Sequence, residues 1–452
     1  MAVTTADRYP LSLWQHHQLR QLTDPICTPV SLRPWLLAFA TQIRPQADRR
    51  RLGRAFQKLV RRHDTLRLRF IREDGRWQGV MNPISDYDLV EMDLGEIADD
   101  AAFQAEVQRV ARQPMDILQE RLVELVLLKC GSRGDVVVWR IHHALTDGYG
   151  MVVLAEDLFK YMLGMPILSN AVSHMDYLSR WQGPKGAEAA RVEAYWQRMA
   201  AEAPPAPEVG RKAHGLPPLH MSVGFRDTLG MSASVTPDSA TRLMEEAARR
   251  GILPQNLVFG AFLESLCRIY GMDRMIFSFF PARTEPALAN YCGDHTLDPF
   301  VIYRADRGGD AFERAGRLHH QVLEAIGHLP ANSARRGSRL ERQMIDAGVY
   351  PRQFATYSPR ATRREKTSAF KRSFEVRPGE TMRFGAHSFT PLAIDREVDT
   401  IDELQVIGMD DLTSCAFGLG WDIDAYEAAE MEALAQGICD LLGLELTAAP
   451  IL

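Results

Sequence analysis

Two adjacent histidines, His142 and His143, stand at the end of an apolar, β-branched run and are followed closely by Asp147 and Gly148. Imidazole is the side chain whose ordinary pKa lets it accept and return a proton near neutral pH. Because successive residues of a strand point to opposite faces, the two histidines would not chelate one metal ion. The same alternation predicts that one histidine packs inward while the other faces a cleft.

The residues that follow the histidine pair predict a helix with a defined start. Residues 150–163, GMVVLAEDLFKYML, are typical of a helix, and Asp147 and Gly148 precede them. Asp can cap the first backbone N–H groups of a helix, and Gly allows a tight turn. A histidine at a strand end is more often structural, so the pair alone leaves a structural and a catalytic interpretation open.

The segments before this motif carry alternating helix and strand patterns. Residues 47–62 place apolar side chains on one helical face and arginines on the other. Residues 63–71, HDTLRLRFI, alternate in the way that a strand does. Residues 122–129 and 135–141 are β-rich runs joined by CGSRG, which predicts a hairpin that leads into the histidine pair.

The pattern restarts after a Pro- and Gly-rich tract. Residues 201–218, AEAPPAPEVGRKAHGLPP, are the best linker candidate in the chain. Beyond them, residues 238–251 predict a helix ended by Gly251, residues 256–271 a second and more apolar helix, and residues 274–283 a strand. Strands that alternate with helices in both halves favour two α/β domains.

The composition is ordinary for a folded protein. The 452 residues are 46% hydrophobic and 25% charged, and a chain of this length favours two domains. A net charge of −5 gives no indication of nucleic acid or an anionic membrane as a partner. The sequence begins without a signal-peptide pattern, and no apolar run reaches the roughly 20 residues that span a bilayer. We expect a cytoplasmic protein that binds neither nucleic acid nor a membrane.

Cysteine usage indicates a reducing compartment. The six cysteines show no CxxC pair and no zinc-like spacing, and they are Cys27, Cys130, Cys267, Cys292, Cys415 and Cys439. They are typical of small buried hydrophobic side chains, and we predict no metal site.

The whole string HHALTDG, residues 142–148, matches the HHxxxDG motif of the condensation-domain superfamily of acyltransferases. That superfamily includes condensation domains of nonribosomal peptide synthetases and bacterial wax ester synthases, and it is related to chloramphenicol acetyltransferase. Companion motifs of condensation domains follow in family order, and they are YPLSLWQ (9–15), RHDTLRLRF (62–70), MDYLSRW (175–181), AYWQRMAAEAPP (194–205), FSFFPAR (277–283) and the closing strand and helix of 412–442. The resemblance covers essentially the whole chain.

The resemblance implies an α/β fold of two chloramphenicol-acetyltransferase-like subdomains, arranged as a V-shaped pseudodimer with the active site in a tunnel between them. We place the N-terminal subdomain at 1–182, a connecting helix and linker at 183–218, and the C-terminal subdomain at 219–452. We expect a monomer.

The resemblance also implies a role for each motif residue. His143 faces the tunnel as general base or positions the nucleophile, and His142 is its structural neighbour. Asp147 turns away from the tunnel and pairs with an arginine of the second subdomain, for which Arg283 is our candidate. Gly148 lets the backbone approach the reacting carbonyl. No metal and no tightly bound cofactor is expected.

The implied reaction is acyl transfer without a covalent enzyme intermediate. The donor is a thioester on the 4'-phosphopantetheine arm of an acyl or peptidyl carrier protein, and the acceptor is a small-molecule amine or alcohol. We see no adenylation or carrier domain in the sequence, so we expect a free-standing enzyme that binds its carrier in trans. Arginine-rich tracts at 49–62 and 335–372 are candidates for docking an acidic carrier, although each can be a solvated surface.

The sequence departs from the family in its second half. YCGDHTLDPFVIYR, residues 291–304, stands where the family has GxFINTLPLR; Gly293 is kept, but the Phe and Asn of the family are not recognisable. GHLPANSARR, residues 327–336, replaces HQDxPFE, and RDxSRNPL is absent. These changes favour an unusual or freely diffusing acceptor over chain elongation between two carrier proteins.

Three functions are compatible with these residues. The first is a carrier-dependent N- or O-acyltransferase in specialised-metabolite biosynthesis. The second is an acyl-CoA-dependent O-acyltransferase of the wax ester synthase type, although the companion motifs resemble condensation domains more closely. The third is a non-catalytic carrier-binding platform, although such relatives usually lose the histidine motif. An epimerase shares the motif but normally works beside a carrier domain.

Overall fold

A computed structural model describes most of the chain. The described residues are 8–20, 36–180, 184–205, 225–226, 228–234, 236–279, 286–295, 297, 299–329, 339–349, 379, 381–394, 398–399, 404–408, 417–422 and 426–447. The proposed linker lies largely outside these residues, as do Arg283 and most of the basic tract at 335–372.

The described residues form eleven α-helices. They are α1 Leu13–Arg20, α2 Arg49–Arg62, α3 Asp100–Ala111, α4 Gly148–Leu163, α5 His174–Arg180, α6 Gly186–Glu202, α7 Pro237–Arg250, α8 Pro254–Tyr270, α9 Ala311–Gly327, α10 Arg339–Asp346 and α11 Ala428–Leu442.

The strands of the described residues number seventeen. They are β1 Arg8–Tyr9, β2 Leu36–Arg44, β3 Leu68–Glu73, β4 Arg76–Met81, β5 Val90–Asp93, β6 Val123–Lys129, β7 Asp135–His142, β8 Phe225–Arg226, β9 Thr228–Ser234, β10 Arg274–Ser278, β11 Phe300–Arg304, β12 Met382–Phe384, β13 His387–Leu392, β14 Val398–Asp399, β15 Leu404–Gly408, β16 Phe417–Asp422 and β17 Glu445–Thr447.

The first half is built on a six-stranded sheet in the order β12-β13-β2-β7-β6-β5. Every residue of β7 is buried, and its neighbours β2 and β6 both run antiparallel to it. The predicted β6–β7 hairpin is therefore confirmed. The apolar stripe of α2 and the buried face of α4 cover one side of the sheet, and α3 covers the other. Burial of these apolar side chains stabilises the layers.

One strand starts later than its alternating pattern predicts. Residues Asp64–Arg67 form a 3-10 turn, and β3 begins only at Leu68. The Asp64 carboxylate accepts hydrogen bonds from the backbone N–H of His174, which ties this turn to the start of α5. A hydrogen bond over this sequence separation carries no periodic signal, so alternation alone missed the turn.

The second half has a core of its own. A four-stranded antiparallel sheet in the order β15-β16-β9-β17 and the pair β10–β11 pack with α8, α9 and α11. Helix α7 ends at Gly251 as predicted, because this glycine adopts the left-handed conformation with φ 64°. The connecting helix α6 also belongs here, since Tyr195 and Trp196 are buried in this core.

The chain crosses from the second half to the first in two places. Strand β13 pairs with β2, with Phe389 opposite Ile43, and so extends the sheet of the first half. Residues 286–295, the crossing segment, bring Cys292 into the core of the first half. The boundaries at residues 182 and 218 stay predictions. No helix among the described residues is long and apolar enough to cross a membrane.

Helices α8 and α9 are in close contact at Gly260, which gives a test of this packing. A Cβ atom at Gly260 would lie 2.5 Å from the Ala315 Cβ, so we expect Gly260→Ala to destabilise the protein by about 1–3 kcal/mol through overpacking. Gly53→Ala, in α2, is the matched control, because its Cβ would meet Leu89 at an ordinary 3.8 Å. Urea unfolding measures both. Equal stability of the two variants would contradict this account of the α8–α9 contact.

Candidate active site

His142 is the last residue of β7, and it points into the protein. Its side chain is buried, and its Nδ1 accepts a hydrogen bond of 3.1 Å from the backbone N–H of Ala144. Burial, with a smaller contribution from His143, lowers the pKa of His142 to about 3. His142 is therefore neutral, and it closes the 3-10 turn His143–Leu145 that follows the strand.

His143 opens that turn and keeps 20% of its side chain exposed. Its Nδ1 lies 2.8 Å from Oδ2 of Asp294, whose carboxylate is completely buried. The ring of Trp14, from α1, lies 6.0 Å away between centroids. Burial acts to lower the pKa of His143, but the carboxylates of Asp294 and Asp147 outweigh it and raise this pKa above its ordinary value.

Asp147 is the N-cap of α4 and also holds the crossing segment. Its Oδ1 accepts from the backbone N–H of Gly150 at 2.7 Å, and its Oδ2 accepts from the backbone N–H of His295 at 2.9 Å. Asp147 therefore connects the two halves through a backbone N–H group. The predicted pairing of Asp147 with Arg283 stays a prediction, because Arg283 lies outside the described residues.

The two glycines at the start of α4 differ in their surroundings. Gly148 is exposed, and a Cβ placed there would meet nothing within 4 Å. At Gly150, a Cβ would lie 2.0 Å from the backbone oxygen of Cys292 and 2.4 Å from Oγ1 of Thr146. The start of the helix is thus open at Gly148, where the backbone is predicted to approach a substrate. Gly150 instead permits close packing of the crossing segment.

The crossing segment is fixed against the motif by further contacts. Thr146 Oγ1 donates a 2.6 Å hydrogen bond to the backbone oxygen of Cys292. Tyr291 stacks on Tyr177 of α5, with ring centroids 4.2 Å apart, and its hydroxyl occupies the space where a side chain at Gly293 would lie. The sequence 291–295 is therefore held on both sides of Asp294.

The chain matches a known family. A family model described as “Condensation domain” matches residues 6–291, which is more than half of the chain. The chain belongs to the condensation-domain family. Membership of this family, whose members are acyltransferases, supports a transferase at the coarse level. Its histidine motif at 142–148 lies within the matched region.

Curated relatives of this condensation domain are large synthases. Surfactin synthase subunit 1 of Bacillus subtilis (strain 168) is 25% identical over 283 residues, which are 62% of this chain and 8% of that protein. Chondramide synthase cmdD of Chondromyces crocatus is 26% identical over 394 residues, which are 82% of this chain and 10% of that protein. The chain thus spans no more than a tenth of the length of either relative.

Solved structures confirm the predicted fold class. SgcC5 of Streptomyces globisporus, crystallised with (R)-(-)-1-(2-naphthyl)-1,2-ethanediol and sucrose, matches with a TM-score of 0.67 and 19% identity. The match covers 96% of this chain and 98% of SgcC5. The condensation domain therefore has the mixed α/β, two-subdomain pseudodimer fold.

The opening motif of the condensation domain supports the turn that carries His143. Gln15 donates from Nε2 to the backbone oxygen of Ala144 at 3.0 Å. Ser12 and Gln15 hold each other, because each backbone N–H donates to the other side chain. The YPLSLWQ motif thus holds the 3-10 turn that carries His143 through the side chain of Gln15.

A second histidine–carboxylate pair lies deeper in the first half. His63 is buried, and its Nε2 donates to Oδ2 of Asp157 at 2.8 Å, which also accepts from Nε of Arg62 at 2.8 Å. Burial acts to lower the pKa of His63, but the neighbouring Cys292 sulfur and the Asp157 carboxylate outweigh it and raise this pKa to about 9. Arg62 and His63 belong to the predicted RHxxLR motif. Their contacts with Asp157 indicate that this part of the motif has a structural role.

Sequence reasoning did not identify several residues that touch the motif. Asp294, Cys292, His295 and Gly150 were not predicted as site residues. The available signal was the departure at 291–304, where an acidic residue directly follows Gly293. It indicated remodelling of this region without showing that the new carboxylate contacts His143. Within the described ranges, no group of three or more His, Cys, Asp or Glu side chains could hold a metal ion.

The close approach at Gly150 predicts a strong effect of one methyl group. We expect Gly150→Ala to lower Tm, because its Cβ would overlap the backbone of Cys292 and push the crossing segment away. Gly148→Ala, two residues earlier on the same helix, should leave Tm within about 1 °C because its Cβ meets no atom. A thermal melt of both variants tests this, and an unchanged Tm in Gly150→Ala would show that the segment is not packed there.

The His63–Asp157 pair predicts a pH dependence of stability. The pKa of His63 is raised from 6.5 to about 9, so its contribution is complete below pH 6.5 and is lost as pH rises through about 9. The free energy of unfolding should therefore fall across this window by up to about 1.4 kcal/mol per pH unit relative to His63→Gln. His320→Gln, exposed on α9, is the control variant. A difference between wild type and His63→Gln that does not change with pH would rule out this linkage.

Proposed function

We propose that the condensation domain transfers an acyl or aminoacyl group from the 4'-phosphopantetheine thioester of a carrier protein to an amine or alcohol, forming an amide or an ester. Membership of an acyltransferase family supports the reaction type. The relatives named above are synthases, which supports a place in specialised-metabolite biosynthesis. The proposal rests mainly on one observation, the geometry of His143.

His143 combines the features that a general base needs. Its imidazole is partly exposed, while its Nδ1 edge is held by a buried carboxylate. The adjacent His142 is buried and neutral, so it does not compete for the same proton. A positioned base of this kind typically contributes about 10²–10⁴-fold to the rate.

The protein contributes a proton acceptor and backbone N–H groups to the proposed reaction. The nucleophile attacks the thioester carbonyl carbon while His143 takes its proton. The carbon–sulfur bond then breaks, and the proton returns to the departing thiolate. Helix α4 starts beside His143, so the backbone N–H groups of Gly148 and Tyr149, with the positive end of the helix dipole, can stabilise the oxyanion.

The carrier surface is also a proposal. Helix α2 presents Arg50, Arg54 and Arg61 to solvent, while Arg62 is engaged with Asp157. An exposed basic face suits an acidic carrier protein through electrostatic complementarity. The second basic tract, at 335–372, lies largely outside the described residues and stays a prediction.

Product formation tests the proposed reaction. We would offer a panel of acyl groups on carrier proteins, and the same acyl groups on coenzyme A, to pooled amines and alcohols, and detect products by mass spectrometry. Alcohols are included because SgcC5 was crystallised with a diol. We expect products from carrier-bound donors, and we expect His143→Ala to reduce turnover by about 10²–10⁴-fold.

Two controls make the result decisive. His143→Gln keeps a polar side chain of similar length without a group that titrates near neutrality, and it should be as inactive as His143→Ala. Gly148→Ala, which the fold tolerates, should lower turnover with unchanged Tm if the substrate approaches the helix start. Turnover with coenzyme A donors alone would favour the wax ester synthase type. Carrier binding without any product would favour the non-catalytic platform.

A further inference from the structure

We propose that Asp294 is a positioning residue that makes His143 a base, and that this pairing selects a hydroxyl acceptor over an amine. The inference rests on the proposed function and narrows its acceptor class. It starts from a contact that joins two residues 151 positions apart in the chain.

The contact determines which ring nitrogen of His143 carries hydrogen in the neutral form. An ionised carboxylate can only accept hydrogen bonds, so Nδ1 donates to Oδ2 of Asp294 across the 2.8 Å separation. The neutral imidazole is then the tautomer whose Nε2 has the lone pair. Asp294 thus orients the ring and sets the tautomer in the way that the aspartate of a Ser-His-Asp triad does.

The charges around His143 favour proton uptake. Asp294 faces it from the crossing segment, Asp147 from the start of α4, and His142, which is neutral, from β7. The group contributed by α1 is the uncharged ring of Trp14. Both carboxylates stabilise the imidazolium that forms when Nε2 takes a proton, and they do so in a largely buried setting where such an effect is strong.

Hydrogen bonds on both sides of Asp294 fix its backbone against the histidine motif. The residue two positions before it, Cys292, accepts from Thr146 Oγ1, and the residue after it, His295, donates its backbone N–H to Asp147. Both partners belong to the histidine motif itself. The position of Asp294 is therefore set by the same turn that carries His143.

Acceptor chemistry explains why a carboxylate-supported base favours a hydroxyl. A neutral amine is nucleophilic without losing its proton first, whereas an alcohol becomes a good nucleophile only as a base removes its proton. In the proposed step the hydroxyl oxygen bonds to the thioester carbonyl carbon as its proton moves to Nε2 of His143. The carbon–sulfur bond then breaks, and that proton passes to the thiolate. Thioester and alcohol are thereby converted to ester and thiol.

Matched acceptor pairs provide the test. Acyl groups (octanoyl, benzoyl and aminoacyl), each carried as a thioester on a carrier protein, are offered with pairs of acceptors that differ only in having a hydroxyl or an amino group, beginning with 2-phenylethanol and 2-phenylethylamine. We expect wild type to form esters faster than amides. Asp294→Asn keeps the side-chain shape but removes the charge, and it should slow ester formation at least about tenfold more than amide formation.

The pH dependence of the same variant gives a readout that a structural role would not change. His143 acts as a base above its pKa, so the rate should rise with pH through that value. Removing the carboxylate lowers this pKa, so in Asp294→Asn the rising limb should move to lower pH while the plateau falls. NMR titration of the His143 ring nitrogens follows the same pKa and tautomer without turnover.

Asp157→Asn is the matched control, because it removes a 2.8 Å histidine contact of the same kind from the His63 pair. It should lower Tm without changing the pH range over which the rate rises or the ratio of ester to amide.

Wild type that forms amides faster than esters would overturn the acceptor assignment while leaving the proposed function intact. An unchanged His143 titration in Asp294→Asn would overturn the role of Asp294. No product from any acceptor would overturn the proposed function, and the NMR titration would still decide whether Asp294 controls the imidazole.

Discussion

The contacts between residues 142–150 and the crossing segment, called the seam below, are the constraint on which the site depends. Asp147 illustrates why, since one of its oxygens caps α4 and the other holds the backbone of His295. The carboxylate satisfies an N–H group at a helix start and another in a distant loop, so the helix and the loop are positioned by a single side chain. Asp294 reaches His143 only because this seam is closed.

Burial and charge assign different chemical states to three histidines of the first half. His142 is buried without a carboxylate partner, so its pKa falls and it stays neutral. His63 is buried with the Cys292 sulfur and the Asp157 carboxylate as neighbours, so its pKa rises and it stabilises the fold as a cation near neutral pH. His143 has a carboxylate and partial exposure together, which makes it the one of these three suited to exchange a proton with a substrate.

The sequence was informative where the physical signal is local. The amphipathic pattern of α2, the β6–β7 hairpin and the capped start of α4 all follow from neighbouring residues, and the histidine motif predicts a candidate site at the end of β7. The contact between His143 and Asp294 joins distant residues and has no periodicity. The partner of Asp147 is a backbone N–H, which every residue except proline carries, so no residue type identifies it.

The pairing of β13 with β2 has a consequence for synthesis of the chain. Strand β2 would be an open edge of the first sheet, with unpaired backbone groups, until residues 387–392 cover it. More than three hundred residues separate the two strands, so on the ribosome the N-terminal sheet waits for most of the polypeptide before its edge is protected. The edge of β2 is thus a surface open to strand pairing during synthesis, and a chaperone that shields β2 during translation would protect it until β13 is made.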